Sequence, residues 1–316
     1  MMKINGHEIL PGENKKIKIR VGKLPSGTHI NIFANVYRAK KKGKTLLVLG
    51  GIHGDEINGV EIIRRSIEQE YYEDLESGTV IVIPLLNVYG FINFSREVPD
   101  GKDVNRSFPG VNTGSLASRV ARKLTKFILP HVDMGIDFHT GGDSRYNYPQ
   151  IRYSKGVDES KTLASIFNAP FMIEKPMIKK SLRKAANDRG IPIIVFEGGE
   201  SKRLDDLSIE KGLAGIKNIL YHFGMIKPEE SDNHITTSIK INKTSWIRAR
   251  DSGLFRALKK SGYQVEEKEL IGMIKDVLGE ESKNIHSSRK AYILGHNNAP
   301  VVNMGDALFN LGWQDK

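Results

Sequence analysis

A chain of 316 residues, 39% hydrophobic and 27% charged, has the make-up of an ordinary globular protein and the length for one large domain or two smaller ones. It contains no cysteine, which excludes disulfides, thiol catalysis and Cys-based metal sites, so any metal must be held by His and carboxylates. The formal net charge of +11 raises nucleic acid as a partner, but the basic residues are scattered through Lys40–Lys42, Lys179-Lys180 and Arg183-Lys184, with no dense basic and aromatic stripe; solvated surface that attracts anionic substrates is the better expectation.

From the start to about residue 40 apolar and polar positions alternate, as in Lys16–Val21 and His29–Val36, which predicts antiparallel strands with one wet face. A turn at Lys41–Lys44 leads into the apolar run Leu46–Leu49, a buried strand. Gly50-Gly51-Ile52-His53-Gly54-Asp55-Glu56 then reads as a loop into an amphipathic helix running to about Tyr72. The β-branched run Thr79–Leu86 predicts a second buried strand, and strand, helix, strand implies a βαβ unit. Strand-to-helix loops are where α/β enzymes keep their chemistry. His53 and Glu56 can converge on one cation across a tight turn.

The segment 87–114 has little periodicity, and a loop of that length inside a compact domain is usually functional. It carries Arg96 and Arg106, each suited to bidentate capture of a carboxylate or, equally, to ordering the loop through Asp100 or Asp103. Ser115 predicts an N-cap for a helix over 116–129 ended by Pro130. A strand Met134–Phe138 follows and ends in His139. With His53 and Glu56 it completes two His and one Glu, the set of catalytic zinc sites that leave a position for water; Asp137 lies where it can hold an imidazole. One zinc per chain is the expectation.

Residues 143–153, with Arg145, Tyr146, Tyr148, Gln150 and Arg152, read as a polar and aromatic loop on the site face. Helices are predicted over 160–169 and 181–189, then a buried strand Ile191–Phe196 ending in Glu197-Gly198-Gly199-Glu200. Glu197 arrives at the edge that carries His53 and His139, placed to take a proton from metal-activated water; Glu200 is read as capping the next helix, 204–223. The charged, Pro-containing stretch Lys227–Asn233 is the best boundary, dividing a catalytic unit over 1–226 from a small all-β unit over 236–316 marked by regularly spaced glycines. Trp246–Arg250 can enter the active site or pack at the junction, with packing the expectation, and His286 and His296 are expected to be surface or structural histidines.

Gly51–Gly59, Asp103–Gly110, Asp137–Gly141 and Phe196–Gly199, in that order, resemble the motifs of the succinylglutamate desuccinylase/aspartoacylase family, and more particularly its bacterial branch of N-acetyl-diaminobutyrate deacetylase-like proteins. The resemblance implies an α/β fold with a mixed, largely parallel central sheet flanked by helices, as in the zinc carboxypeptidases, and a small C-terminal all-β domain reminiscent of a barrel-sandwich hybrid, though without a biotinyl or lipoyl lysine motif. It implies His53, Glu56 and His139 as zinc ligands and Glu197 as general base and then acid. It further implies Arg106, with Asn105 beside it, as the binder of a substrate carboxylate and Arg96 as the group that polarises the scissile carbonyl. The activity so implied is hydrolysis of a small-molecule N-acyl amino acid. A carboxypeptidase acting on short peptides and a non-catalytic zinc sensor are the alternatives. No apolar run approaches the ~18 residues of a membrane span, and Met1–His7 lacks a secretory signal. A cytoplasmic protein with neither membrane nor nucleic-acid partner is expected, with assembly into homo-oligomers left open.

Overall fold

The computed structural model describes residues 2–227 and 237–315. A small hairpin, β1 (Met2–Ile4) with β2 (His7–Ile9), precedes two long antiparallel strands, β3 (Asn14–Lys23) and β4 (His29–Arg38), whose burial alternates as the sequence predicts. β5 (Thr45–Leu49), β6 (Thr79–Ile83), β7 (Met134–Gly141) and β10 (Ile193–Glu200) form the parallel heart of the sheet in the order β10-β7-β5-β6, with β4 antiparallel on β6. Every residue of β5, β6 and β7 is buried, which is why these runs carry no alternation.

Helices α1 (Ile57–Glu68), α4 (Asp158–Phe167) and α6 (Asp206–His222) cover one face, their apolar stripes meeting Val48, Ile136, Phe138 and Phe196. On the other face α3 (Leu116–Phe127) and α5 (Leu182–Asn187) close a second core with β3 and β4. Ser115 does cap α3, its hydroxyl accepting from the Ser118 N–H, but α3 stops at Phe127 and Pro130 sits in a separate 3-10 turn. α1 stops at Glu68, short of Tyr72, and the nearly structureless 87–114 region contains the short α2 (Val88–Ile92) and a 3-10 turn at Val104–Arg106.

Residues 143–153 are not a loop. After a turn at Asp143 and Ser144 the rest lie in the ten-residue strand β8 (Arg145–Ser154), antiparallel to β10, with β9 (Phe171–Lys175) parallel beside it. The strand's inner face is polar because it lines a cleft, so hydrophobic patterning conceals it. The all-β character of the C-terminal part holds among the described residues: β11 (Ile239–Ile241), β12 (Lys243–Arg248), β13 (Gly253–Ala257), β14 (Gln264–Val265), β15 (Leu270–Lys275), β16 (Ser282–His286), β17 (Ala291–Asn297), β18 (Val301–Val302) and β19 (Ala307–Trp313). β13, β15, β16 and β18 make a separate four-stranded antiparallel sheet, whereas β17 pairs with β8, so the main sheet continues through β17 and β19 to β12. Most of the expected boundary at Lys227–Asn233 falls outside the described residues.

After β5 the chain adds β6 on one side and later returns to place β7 on the other. Such a reversal opens a crevice beyond the carboxyl ends of the strands. His53, His139 and Glu197 all come from that edge.

Candidate metal centre and active site

The chain leaves β5 through Gly50 and Gly51, the latter at φ +58°, and delivers His53 to the crevice. Gly54 is tightly enclosed there: a Cβ on it would lie 1.9 Å from the Gly90 carbonyl carbon of α2. Glu56 occupies the position that caps α1 yet makes no capping hydrogen bond with its side chain. Its carboxylate turns outward instead, with Oε1 2.8 Å from His53 Nδ1 and Oε2 2.8 Å from His139 Nδ1, while accepting from the Thr140 N–H. The two Nδ1 atoms are 3.2 Å apart, and the ligand atoms of all three buried residues lie within 4.8 Å of one another.

Behind the ligands, His139 Nε2 is 2.9 Å from Asp137 Oδ2 and His53 Nε2 is 3.2 Å from Asp103 Oδ1. Each imidazole thus donates through Nε2 to a carboxylate and turns Nδ1 toward a common point, the orientation a metal-binding histidine takes. Burial disfavours charge on these groups, but the carboxylates of Asp137 and Glu56 hold His139 well above the ordinary imidazole range, and Glu56 and Asp103 raise His53. Burial likewise opposes ionisation of Glu56, and the two imidazoles overcome it, keeping its pKa well below the usual carboxylate value. Positive charge is thus favoured at this point, and the donor set of two His and one Glu fits zinc.

Glu197 pairs in register with His139 on the neighbouring parallel strand. Its Oε1 is 2.6 Å from Arg152 Nη1 and its Oε2 2.9 Å from Asn147 Nδ2. Glu200 does not cap a helix: β10 runs on to include it, its Oε2 accepts from Asn298, and Asp205 caps α6 by accepting from the Ser208 N–H. Arg96 borders the metal corner, with Nη1 3.0 Å from Glu56 Oε1 and Nη2 3.0 Å from Asp103 Oδ2, so it pairs with Asp103 and faces the ligands at once. Arg106 is exposed and, among the described residues, its side chain donates only to the Asn105 carbonyl. Asn105 lines the cleft while its Oδ1 accepts from the Leu182 N–H and so anchors the start of α5.

His53, Glu56, His139, Glu197, Arg96 and Arg106 line one cleft of about 360 Å³. Trp246 lines it too, 38% exposed, and is therefore not packed away at a junction; pairing of β12 with β19 carries it to the mouth. Sequence reasoning also missed the partnership of Asp103 with His53, the grip of Arg152 and Asn147 on Glu197, and Arg183. That arginine is buried beside the cleft, donates through Nη2 to the Pro176 carbonyl and has no partner for Nη1 among the described residues. Burial and the charge of Arg152 push its pKa down to about 10. The only sequence signal for these residues is their position in or beside segments that face the site.

Residues 42–223 match the model of the succinylglutamate desuccinylase/aspartoacylase catalytic domain, and the chain belongs to that family. It is 26% identical over 285 residues to an N-alpha-acetyl-L-2,4-diaminobutyric acid deacetylase of Halomonas elongata, covering 84% of this chain and 81% of that one. A succinylglutamate desuccinylase/aspartoacylase structure from Rhodobacter sphaeroides superposes with a TM-score of 0.82 at 25% identity, over 96% of both chains. The ectoine utilization protein EutE (DoeB) of Ruegeria pomeroyi, in a product-bound structure, shares the fold with a TM-score of 0.84 at 22% identity, over 96% of this chain and 95% of that one. Family and ligand set together make this protein a zinc-dependent hydrolase, with a single zinc site among the described residues.

Proposed function

We propose that the protein is a deacylase that hydrolyses the amide of an N-acyl amino acid, or of a related small N-acyl amine, to a carboxylate and a free amine. The observation that carries this reading is a His, Glu and His set with a strand-end carboxylate in register beside it, in a cleft sized for a small molecule. His53, Glu56 and His139 would hold the zinc, which when bound acidifies water and polarises the amide carbonyl.

The remaining chemistry belongs to the chain. Glu197 takes a proton from the attacking water and returns it to the leaving nitrogen. Arg96, beside Glu56, stabilises the negative charge that develops on the amide oxygen. Arg106 is the exposed guanidinium on the cleft free of any carboxylate within salt-bridge distance among the described residues, and with Asn105 beside it anchors the substrate carboxylate. The division into a catalytic unit over 1–226 and a β unit over 236–316 belongs to the same proposal.

The name of the Halomonas elongata relative makes N-acetylated diamino acids the first substrates to try. Metal content and amine release should be measured on one preparation, against N-acetyl, N-succinyl and N-formyl amino acids and short peptides. We expect about one zinc per chain and chelator-sensitive release from acyl amino acids. Glu197→Gln should keep its zinc and lose at least about a thousandfold in turnover. Preference for peptides would replace the proposal with a carboxypeptidase; zinc without turnover on any substrate would replace it with a sensor.

A further inference from the structure

A general base is useful only if its carboxylate points at the reacting water and stays charged, and a buried carboxylate has little inducement to do either. Glu197 is only 8% exposed. Both of its oxygens are nevertheless taken up by one neighbouring strand: Arg152 donates to Oε1 at 2.6 Å and Asn147 to Oε2 at 2.9 Å. The first is a short charge-assisted hydrogen bond, the second comes from a buried amide, and together they stop rotation of the carboxylate about its terminal bond while leaving a lone pair on each oxygen free.

Two donors at positions 147 and 152 should not face the same way. In a regular strand, residues an odd number apart point to opposite faces. β8 resolves this with an extra residue: Glu197 pairs with Gln150 and Gly199 with Asn147, so β8 advances three residues where β10 advances two. The surplus falls around Pro149, a residue that lacks an N–H for the ladder and is at home in a bulge. The bulge reverses the parity of the strand beyond it and brings Asn147 round to the face that already carries Arg152.

We propose that Arg152 and Asn147 are positioning residues for the catalytic carboxylate, and that the bulge in β8 exists in this fold to aim them both at Glu197. The proposal rests on the role given to Glu197 above. It distinguishes Arg152 from the cleft arginines that have guanidinium groups to spare for substrate. Its Nη1 is spent on the protein's own base, so Arg152 acts on the rate through Glu197 and not on binding.

The test has two arms. In steady-state kinetics on the preferred acyl amino acid, Arg152→Met should lower kcat by about 30- to 100-fold with KM and zinc content unchanged within about twofold, and Asn147→Ala by about threefold to tenfold. Arg152→Lys, which keeps the charge, should recover about tenfold of the loss. A rise in KM at constant kcat would make Arg152 a substrate anchor and overturn the proposal, as would a Met variant as fast as the parent.

The second arm needs no turnover. In a double-mutant cycle on urea unfolding, Arg152→Met should lower the folding equilibrium constant by about tenfold or more in the parent and by less than about threefold when Glu197 is already Gln, because an uncompensated buried charge remains only in the first case. Equal effects in both backgrounds would overturn the pairing. Should the parent show no activity on any acyl amino acid, the deacylase reading fails and the cycle alone decides whether Arg152 serves Glu197.

Discussion

Two walls face each other across the cleft, and they are built on opposite principles. At the ends of β5 and β7 the groups of the metal corner are paired: Glu56 meets both imidazoles and Arg96, Asp137 holds His139, and Asp103 holds His53 and Arg96. Across from it, the wall made by β8, α5 and β12 has capacity to spare. Arg183 Nη1 and Arg152 Nε are buried without partners among the described residues, and Trp246 and Ile178 leave 38% and 49% of their surface open. A closed electrostatic circuit suits a cation and a fixed reaction geometry, because nothing in it must rearrange when charge develops. Unspent donors and open apolar surface suit a ligand that arrives and leaves. The first wall should therefore control rate; on the second, Arg152 and Asn147 serve Glu197, and the surface left free around Arg183, Trp246 and Ile178 should control selectivity.

Breaking the first wall should have the largest effect. His139→Ala should leave less than about a tenth of a zinc per chain and abolish turnover. Asp137→Asn, which spares the ligands, should weaken zinc binding by about 10- to 100-fold in a chelator competition. Next, Arg96→Met should keep zinc and lower kcat by about 100- to 1,000-fold with KM nearly constant, the signature of a group needed only in the transition state.

On the second wall, Trp246→Ala should raise KM by about tenfold while kcat moves less than about threefold, in keeping with the ~1.5 kcal/mol of contact that an exposed aromatic gives a small ligand. If that variant lost as much kcat as Arg96→Met, the two walls would not divide rate from selectivity.

Behind the second wall β17 joins β8, and the ring of His296 lies 5.5 Å from that of Tyr146. His296 Nδ1 accepts from the Ser261 N–H, which requires a neutral ring there, and burial followed by the charge of Lys260 pushes its pKa down to about 4. Unfolded, the imidazole titrates near 6.5, so the unfolded chain takes up a proton first as pH falls. The stability due to neutral His296 is full above about pH 6.5 and is lost as pH drops toward 4, up to about 3 kcal/mol. Urea unfolding at pH 7 and pH 4.5 should show this loss in the parent and a smaller one in His296→Gln.

Much of the first wall is legible in the amino-acid sequence alone. His53 and Glu56 sit within one turn, and Asp137 and His139 are two apart in a strand and so share a face; such relations follow from backbone period alone. Glu197 is legible as a strand-end carboxylate for a similar reason, since the buried run that leads to it can only be a strand. The βαβ core declares itself through β-branched runs, and the antiparallel character of β3 and β4 through alternation.

What tertiary structure decided is how strands lie against one another. Asp103 reaches His53 across 50 positions, Arg152 reaches Glu197 across 45, and Trp246 arrives from a strand in the C-terminal part. The extra residue in β8 turns Asn147 to a face that its spacing from Arg152 denies it, and continuation of β10 through Glu200 passes the capping of α6 to Asp205. A local sequence determines which residues share a face of one element, because that depends only on dihedral period. Pairing register and bulges are settled by the whole sheet, since each strand's position is fixed by the side chains of its neighbours and by the core they close together.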